Sequence, residues 1–202
     1  MYIICLDFEG VVAPEMWVAY AKASGISQLT RTTRDEPDYD KLMNWRLGIL
    51  NEHGQGLNEI QNAISTCEPL PGAKEFLDEL RGLAQTVIVS DTFEEFAKPL
   101  IEKLGRPTIL CHSLEVTGDG TITGYNLRIK SDTKLNTIKA LQSIGYKVIA
   151  AGDSYNDLDM IKNAEYGFLF RSTEQIKKEN PDIPAFEEYD DLLKAIKSVI
   201  RK

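Results

Sequence analysis

The chain has 202 residues, which is enough for one sizeable hydrophobic core together with a small subdomain. Its 31 acidic and 23 basic residues give a net charge of −8. This balance argues against nucleic acid or an anionic membrane as the main partner, since both require clustered bases. No apolar run approaches the roughly 18–20 residues that span a bilayer. The N-terminal segment lacks the basic flank of a secretory signal, and three cysteines without CxxC spacing indicate reduced thiols, so we expect a cytoplasmic protein.

Near-continuous apolar runs alternate with helical patterns along most of the chain. Strands are predicted over 2–7, 86–91, 108–114 and 147–153, with a weaker one over 167–170. Helices are predicted over 73–85, 92–105, 134–145 and 189–202. Pro99 is expected to bend or restart the second of these helices. The alternation predicts an α/β fold, a Rossmann-like parallel sheet with helices on both faces, whose ligands bind beyond the carboxyl ends of the strands.

One long segment interrupts this alternation. Residues 13–69 show helical spacing without a strong strand, so they are predicted to form a helical cap inserted after the first strand, above the sheet edge. The catalytic core then comprises residues 1–12 and 70–202. Within the cap, the charged segment 32–40 is either a solvated loop or a loop that closes over the site, and the sequence does not separate these. Residues 115–129 predict a β-hairpin around a Gly-Asp-Gly turn.

The histidines and tryptophans are interpreted as structural residues. His53 and His112 are too few and too far apart for a zinc site, and His112, beside Cys111 in a predicted strand, is interpreted as a surface imidazole. Trp17 and Trp45 are interpreted as packing residues of the cap.

Polar residues follow three of the predicted strands. Asp7 and Glu9 close the first strand on the same face, where two like charges repel unless a cation or a proton intervenes. The other residues of this kind are Ser90, Asp91, Lys134, Asp153, Asn156 and Asp157. Each has an ordinary explanation alone, such as a turn, a helix cap or a solvated charge. Because parallel strands deliver their carboxyl ends to one edge of the sheet, the set together predicts a single polar site.

In this order and spacing the motifs resemble those of the haloacid dehalogenase-like phosphohydrolases. The matching pieces are "DFE" after the first strand, Ser90 after the second, Lys134 further along, and "GDSYND" after a later strand. The resemblance covers the whole chain, including a cap placed after the first motif. It implies hydrolysis of a phosphomonoester.

The resemblance implies a role for each acidic residue. Asp7 would be the nucleophile that forms an aspartyl-phosphate. Mg²⁺ would be held by Asp7, the backbone carbonyl of Glu9 and Asp153, with Asp157 supporting the metal loop. The carboxyl group of Glu9 would act as general acid and base.

The resemblance also implies which residues hold the phosphoryl group. Ser90 and nearby backbone amides would bind phosphate oxygens, and Lys134 would offset the charge of the phosphoryl group and the nucleophile. Asn156 is expected to shape the metal loop, either as a ligand or by holding the ligands, and to contact the substrate.

Glu9 departs from the family pattern, which usually has Asp at this position. The extra methylene moves the carboxyl group by about 1.5 Å, which is either a tolerated change or a cause of slower hydrolysis that lets another hydroxyl group take the phosphate. The motifs "CLDFEGVVAPEMW", "TTRDEPDYD", "RLGIL" and "VIVSDTFEEF" look like those of the bifunctional phosphoserine phosphatase / phosphoserine:homoserine phosphotransferase group, which shares this Glu.

The narrower resemblance implies O-phospho-L-serine as donor, with water or L-homoserine as acceptor. It also implies that Glu15 and Arg46, from the cap, bind the amino and carboxylate groups of the substrate. Asp91 would add a substrate contact, although helix capping explains it equally well.

Three alternatives stay open at this stage. A signalling receiver domain also uses an acidic cluster, Mg²⁺ and a lysine, but its lysine follows the last acidic motif, whereas Lys134 precedes Asp153. A second alternative is a capped phosphatase for a nucleotide, a sugar phosphate or a methionine-salvage intermediate. A third is a protein that serves mainly as a transferase. The main acceptor, the pathway and the formation of a homodimer are left open.

Overall fold

A computed structural model of the chain describes residues 1–32, 35–36, 38–131 and 133–200. In this part of the chain seven strands form one sheet in the order β4-β3-β2-β1-β5-β6-β7. The strands are β1 (Tyr2–Leu6), β2 (Gln85–Phe93), β3 (Thr108–Val116), β4 (Ile122–Asn126), β5 (Lys147–Gly152), β6 (Tyr166–Phe170) and β7 (Ala185–Phe186). Neighbouring strands are parallel except β3 and β4, which are antiparallel. The predicted α/β fold is confirmed, because helices cover both faces of this sheet.

The helices follow from apolar stripes that cover the sheet. They are α1 (Met16–Ser24), α2 (Tyr39–Glu52), α3 (Leu57–Ser65), α4 (Ala73–Leu83), α5 (Glu94–Lys103), α6 (Thr133–Ser143), α7 (Leu158–Asn163), α8 (Glu174–Glu179) and α9 (Tyr189–Ile200). Alternate residues of a strand face opposite sides, so Ile3 and Cys5 pack in the core layer that contains Ile138 of α6, while Ile4 and Leu6 pack in the layer of α4, α5 and α9. Within the part of the chain that is described, no helix is long and apolar enough to cross a bilayer.

The segment predicted as a cap contains α1, a short 3₁₀ helix (Ser27–Thr30), α2 and α3. Its two connections to the sheet lie side by side, since the N–H of Leu70 donates to the carbonyl of Val12 over 3.1 Å. Trp17 of α1 packs on Phe96 of α5 with ring centroids 4.9 Å apart. The cap is therefore anchored to the core through its first helix, and its exact limits remain a prediction.

The predicted hairpin is present, and its first strand is the C-terminal part of β3, where residues 113–116 pair with β4. The turn closes with the N–H of Gly120 donating to Thr117, and the hairpin then reaches the cap. The carbonyl of Gly120 accepts from the N–H of Leu57 over 2.9 Å, and the hydroxyl of Tyr125 donates to Asp40 over 2.5 Å. The hairpin is thus a second support for the cap.

The structure differs from the predicted restart of a helix at Pro99 and contains three short elements that were not predicted. The helix α5 continues through Pro99 instead of restarting there. Proline removes the N–H that would bond the carbonyl four residues earlier, and here the side chain of Gln61 from α3 donates to that Glu95 carbonyl over 2.7 Å. The short elements α7, α8 and β7 were not predicted. The last two residues of the predicted C-terminal helix, 201–202, lie outside the described residues.

Candidate active site

The predicted polar site forms at the carboxyl ends of β1, β2 and β5, beneath the cap. A cavity of about 290 Å³ opens there. Nine of the predicted site residues line it: Asp7, Glu9, Glu15, Arg46, Ser90, Asp91, Lys134, Asp153 and Asn156. The tenth, Asp157, lies fully buried behind the cavity wall. Thr32 and Tyr39, from the predicted charged loop, also line the cavity, whereas residues 33, 34 and 37 of that loop lie outside the described residues.

A buried lysine joins two of the acidic residues. The Nζ atom of Lys134, at the start of α6, lies 2.8 Å from Oδ1 of Asp7 and 2.6 Å from Oδ1 of Asp157. Burial alone would lower the pKa of Lys134, but the charges of Asp157 and Asp7 outweigh it and raise the pKa well above its usual range. Lys134 is therefore a permanent cation beside the predicted nucleophile.

Asp157 organises the loop after β5. Its Oδ2 atom accepts hydrogen bonds from the backbone N–H groups of Asp153 and Ser154, each 3.0 Å long. With Oδ1 held by Lys134, both carboxylate oxygens of Asp157 are engaged, so Asp157 joins Lys134 to the loop after β5. Gly152 permits this packing, since a Cβ atom there would lie 2.4 Å from Cγ of Asp157.

The donor set suits a hard divalent cation. Carboxylate oxygens of Asp7, Asp153 and Asp157 lie within 4.8 Å of one another, and oxygen atoms are the ligands that Mg²⁺ prefers. Burial and then the charge of Asp157 raise the pKa of Asp7 well above its usual range and that of Asp153 to about 7. One lysine therefore does not offset all the negative charge here, and a bound cation would. Because Asp157 is already engaged, Asp7 and Asp153 are the carboxylates that fit such an ion.

Glu9 lies on the cap side of the cavity. Its neighbour Phe8 is buried in the core, and its Oε2 atom accepts a hydrogen bond of 3.2 Å from the N–H of Met16 at the start of α1. Burial raises the pKa of Glu9 to about 8, and the nearby Glu15 carboxylate adds to the shift while Arg46 opposes it. Glu9 is therefore a protonated carboxyl group near neutral pH.

Arg46 presents a partly unpaired guanidinium group to the same cavity. Nη2 donates to the carbonyl of Arg31 over 2.7 Å, and Cζ lies 4.5 Å from the ring centre of Trp17. Nε is buried and has no hydrogen-bond partner among the described residues. Burial lowers the pKa of Arg46 to about 10, which leaves it cationic at neutral pH. A buried cation with a spare donor suits an anionic group such as a carboxylate. Trp17 is thus more than a packing residue, because it also lines the site.

The end of β2 contributes the remaining polar groups. Oγ of Ser90 accepts from the N–H of Thr92 over 3.2 Å, and Oδ2 of Asp91 accepts from Nδ2 of Asn156 over 3.2 Å. Asp91 is therefore held by the loop after β5 and does not act as a helix cap. Thr92 lines the cavity, and its hydroxyl is buried without a hydrogen-bond partner in the described part of the chain.

Three residues near the site were not predicted from the sequence. Thr92 directly follows Ser90 and Asp91, so its position next to two predicted site residues could have identified it. Tyr39 gave no local signal, because its ring reaches the cavity only through the fold of the cap. The interpretation of His112 as a surface imidazole is wrong, since it is only 4% exposed. Its face of β3 is covered by Tyr39, which comes from a distant segment.

The fold and this site define a class, α/β hydrolases with a buried lysine beside a cluster of carboxylates at the carboxyl edge of the sheet. The family model of a haloacid dehalogenase-like hydrolase matches residues 4–165. The chain is 52% identical over 192 residues to phosphoserine phosphatase ThrH of Pseudomonas aeruginosa, a match that covers 95% of this chain and 93% of that protein. It is 50% identical over 192 residues to a phosphoserine phosphatase of Pseudomonas syringae pv. tomato, with 95% and 81% covered.

Solved structures agree on the fold. A structure described as a phospho-aspartyl intermediate analogue of phosphoserine phosphatase superposes with a TM-score of 0.77 at 24% identity, over 96% of this chain and 98% of that one. The chain belongs to the haloacid dehalogenase-like hydrolase family. The resemblance drawn from the motifs is thereby confirmed, and the receiver-domain alternative is set aside.

Proposed function

We propose that this protein is a Mg²⁺-dependent phosphomonoester hydrolase and phosphotransferase that acts on O-phospho-L-serine and transfers the phosphoryl group to water or L-homoserine. The observation that carries the proposal is that Arg46 and Glu15 line the same cavity as Asp7 and Lys134. Asp7 and Lys134 suit a phosphoryl group, while Arg46 and Glu15 suit an amino-acid head group. The printed names of the relatives that cover most of the chain support the same substrate.

The first half-reaction would be carried by Asp7 and Glu9. A carboxylate oxygen of Asp7 attacks phosphorus, a P–O bond forms on Asp7, and the bond to the serine oxygen breaks. Glu9, with a pKa of about 8, is protonated near neutral pH and gives its proton to the departing oxygen. Lys134 lies 2.8 Å from Asp7 and favours its ionised form. When bound by Asp7, Asp153 and the Glu9 carbonyl, Mg²⁺ would neutralise charge on the phosphoryl oxygens.

The second half-reaction reverses the proton transfer. The acceptor hydroxyl, from water or homoserine, gives its proton to the Glu9 carboxylate and attacks the phosphorus, which releases Asp7. The Glu9 carboxyl group is fixed by the N–H of Met16, so its position depends on the first helix of the cap. An amino-acid acceptor would use the same Arg46 and Glu15 contacts as the departing serine. This reuse is the physical basis for proposing homoserine as acceptor.

The test is one reaction that follows two products. Purified protein with Mg²⁺ and phosphoserine is assayed with and without homoserine, and free phosphate and phosphohomoserine are quantified together. Asp7→Asn should abolish both products, because an amide cannot act as nucleophile, while Asp182→Asn, at an exposed aspartate, should leave them unchanged.

The outcomes separate the parts of the proposal. Phosphohomoserine formed at the expense of free phosphate supports the transferase activity. Free phosphate alone reduces the function to phosphoserine hydrolysis. If neither product forms, the substrate assignment is wrong, and a panel of phosphomonoesters is assayed next. Normal turnover by Asp7→Asn would contradict the covalent mechanism.

A further inference from the structure

A buried imidazole beside the candidate site has no part in the mechanism above. His112 lies on β3 and does not line the cavity with Asp7, although it lines a neighbouring cavity of about 310 Å³. The groups that face it are Asp91 and Phe93 of β2, Tyr39 of α2, Arg128 after β4 and, further off, the charge of Lys134.

The hydrogen bond at one ring nitrogen decides where the proton of His112 lies. Nδ1 accepts from the backbone N–H of Arg128 over 3.1 Å, so Nδ1 carries no hydrogen. A neutral imidazole then carries its single proton on Nε2. Burial lowers the pKa of His112 more than the Asp91 charge raises it, and the charges of Arg128 and Lys134 lower it further. The neutral Nε2–H tautomer is therefore the form at neutral pH.

This N–H group faces the carboxylate of Asp91. Nε2 lies 3.6 Å from Oδ1 of Asp91, which is longer than a hydrogen bond, so the contact is an electrostatic one in this state. The other oxygen of Asp91 holds Asn156 at 3.2 Å. The carboxylate thus sits between a donor on β3 and a donor on the loop after β5, and both Asp91 and Asn156 line the candidate site.

The residue that fixes the tautomer also touches the helix of the catalytic lysine. Nη2 of Arg128 donates to Oγ1 of Thr137 over 2.7 Å and to the carbonyl of Thr133 over 3.3 Å. Thr133 is the first residue of α6 and directly precedes Lys134. Arg128 therefore bonds His112 through its backbone N–H and the start of α6 through its side chain.

We propose that His112 is a positioning residue, whose Nε2–H group, fixed by Arg128, orients the carboxylate of Asp91 and through it the side chain of Asn156 in the candidate site. The kinetic part of the test rests on the proposed function. The tautomer itself is observable without any substrate.

The kinetic test compares two substitutions with a matched control. His112→Phe removes the donor and keeps a ring, and we expect kcat/KM for phosphoserine to fall by about 10- to 100-fold, as for other residues that orient site ligands. His112→Gln keeps an amide donor and should recover most of this loss. His53→Phe changes the exposed second histidine and should leave kcat/KM unchanged. In an Asp91→Ala background, His112→Phe should cost nothing further, since its partner is gone.

A spectroscopic measurement covers the case in which His112→Phe does not fold. The ring nitrogens of ¹⁵N-labelled histidine are observed by NMR in the wild-type protein at pH 7. The signals that disappear in His112→Gln belong to His112, and those that disappear in His53→Phe belong to His53. We expect the His112 signals to show the Nε2–H tautomer. An Nδ1–H tautomer or a cationic ring overturns the proposal. So does an unchanged kcat/KM in His112→Phe, or an equal loss in the Asp91→Ala background. Failure of the wild-type protein to use phosphoserine would contradict only the proposed function, and the same variants would then be compared with p-nitrophenyl phosphate.

Discussion

The length of the Glu9 side chain sets the position of a carboxyl group in the candidate site. Glu9 is held by the N–H of Met16, and the charges of the cap residues Glu15 and Arg46 act on its carboxyl group. Shortening it to Asp would withdraw the carboxyl group by one carbon–carbon bond. Displacements of about 1 Å at reacting groups change rates by on the order of 100-fold. The size of Glu9 can therefore decide which acceptor removes the phosphoryl group.

We predict that Glu9→Asp raises the ratio of free phosphate to phosphohomoserine, because the shorter acid leaves room to activate a water molecule. Both products are measured with phosphoserine and homoserine at fixed concentrations. Glu68→Asp, at an exposed position, is the control and should keep the wild-type ratio. An unchanged ratio in Glu9→Asp would show that Glu9 does not set the partition.

The guanidinium group of Arg46 is predicted to fix the substrate carboxylate. Arg46→Lys keeps the charge but removes the planar pair of donors. We expect KM for phosphoserine to rise by about 10- to 100-fold, the equivalent of about 1.5–3 kcal/mol for a charged hydrogen bond, with a smaller effect on kcat. Arg106→Lys, at an exposed arginine, serves as control. Equal KM values in the Arg46→Lys and wild-type proteins would remove Arg46 from the carboxylate site.

At the residue scale, the sequence was most informative where chemistry follows directly from a strand end. Asp7, Ser90 and Asp153 each follow an apolar run, and parallel strands must bring such ends together. The environment of His112 could not be predicted in this way, because its burial depends on Tyr39, which comes from a segment more than 70 residues earlier. Local alternation places a residue on one face of a strand, but only the assembled fold decides what covers that face.

At the element scale, α5 shows how a tertiary contact overrides a local rule. Pro99 lacks an N–H, so the carbonyl of Glu95 needs another donor, and Gln61 of α3 supplies it. The internal proline predicts a bend or a restart, and nothing in the sequence indicates that a side chain 38 residues before Pro99 completes the hydrogen bonding of this helix. The same bond ties the cap to the core.

We predict that Gln61→Ala lowers the free energy of unfolding by about 1 kcal/mol, the typical value of one hydrogen bond. In a Pro99→Ala background the new N–H can bond Glu95 within the helix, so Gln61→Ala should then cost clearly less. The double-mutant cycle is measured by urea denaturation. Gln175→Ala, on the exposed face of α8, is the control substitution. Equal costs of Gln61→Ala in both backgrounds would contradict this account of Pro99.

In the molecule as a whole, the fold brings three carboxylates to one edge of the sheet, and a single lysine does not offset their negative charge. The parallel sheet with helices on both faces was predictable, because strands alternate with helices along the chain. The supports between cap and sheet, such as the hairpin contact of Gly120 with Leu57, were not, because they join segments far apart in sequence. The cluster of carboxylates at the edge of the sheet affects stability, because burial and the charge of Asp157 raise the pKa of both Asp7 and Asp153.

This edge links stability to pH and to Mg²⁺. The pKa of Asp7 is raised well above its usual range, and that of Asp153 is raised to about 7. The folded protein therefore retains protons that the unfolded chain has released. A raised pKa contributes stability that is fully present below about pH 4, the usual aspartate value, and is lost as the pH rises through the folded value. In the absence of metal, these groups should make the protein less stable at pH 8 than at pH 5.5.

Mg²⁺ should oppose this loss, because it binds the deprotonated carboxylates. At 100 times its Kd, a ligand adds about 2.7 kcal/mol, or about 5–10 °C in Tm for a chain of this length. We predict that thermal unfolding with Mg²⁺ and with EDTA differs by this amount at pH 8 and by clearly less at pH 5.5. Asp153→Asn should remove most of the difference, whereas Asp159→Asn, at an exposed position on α7, should keep it. A Mg²⁺ effect of equal size at both pH values, or one that survives in Asp153→Asn, would place the cation elsewhere than on this edge of the sheet.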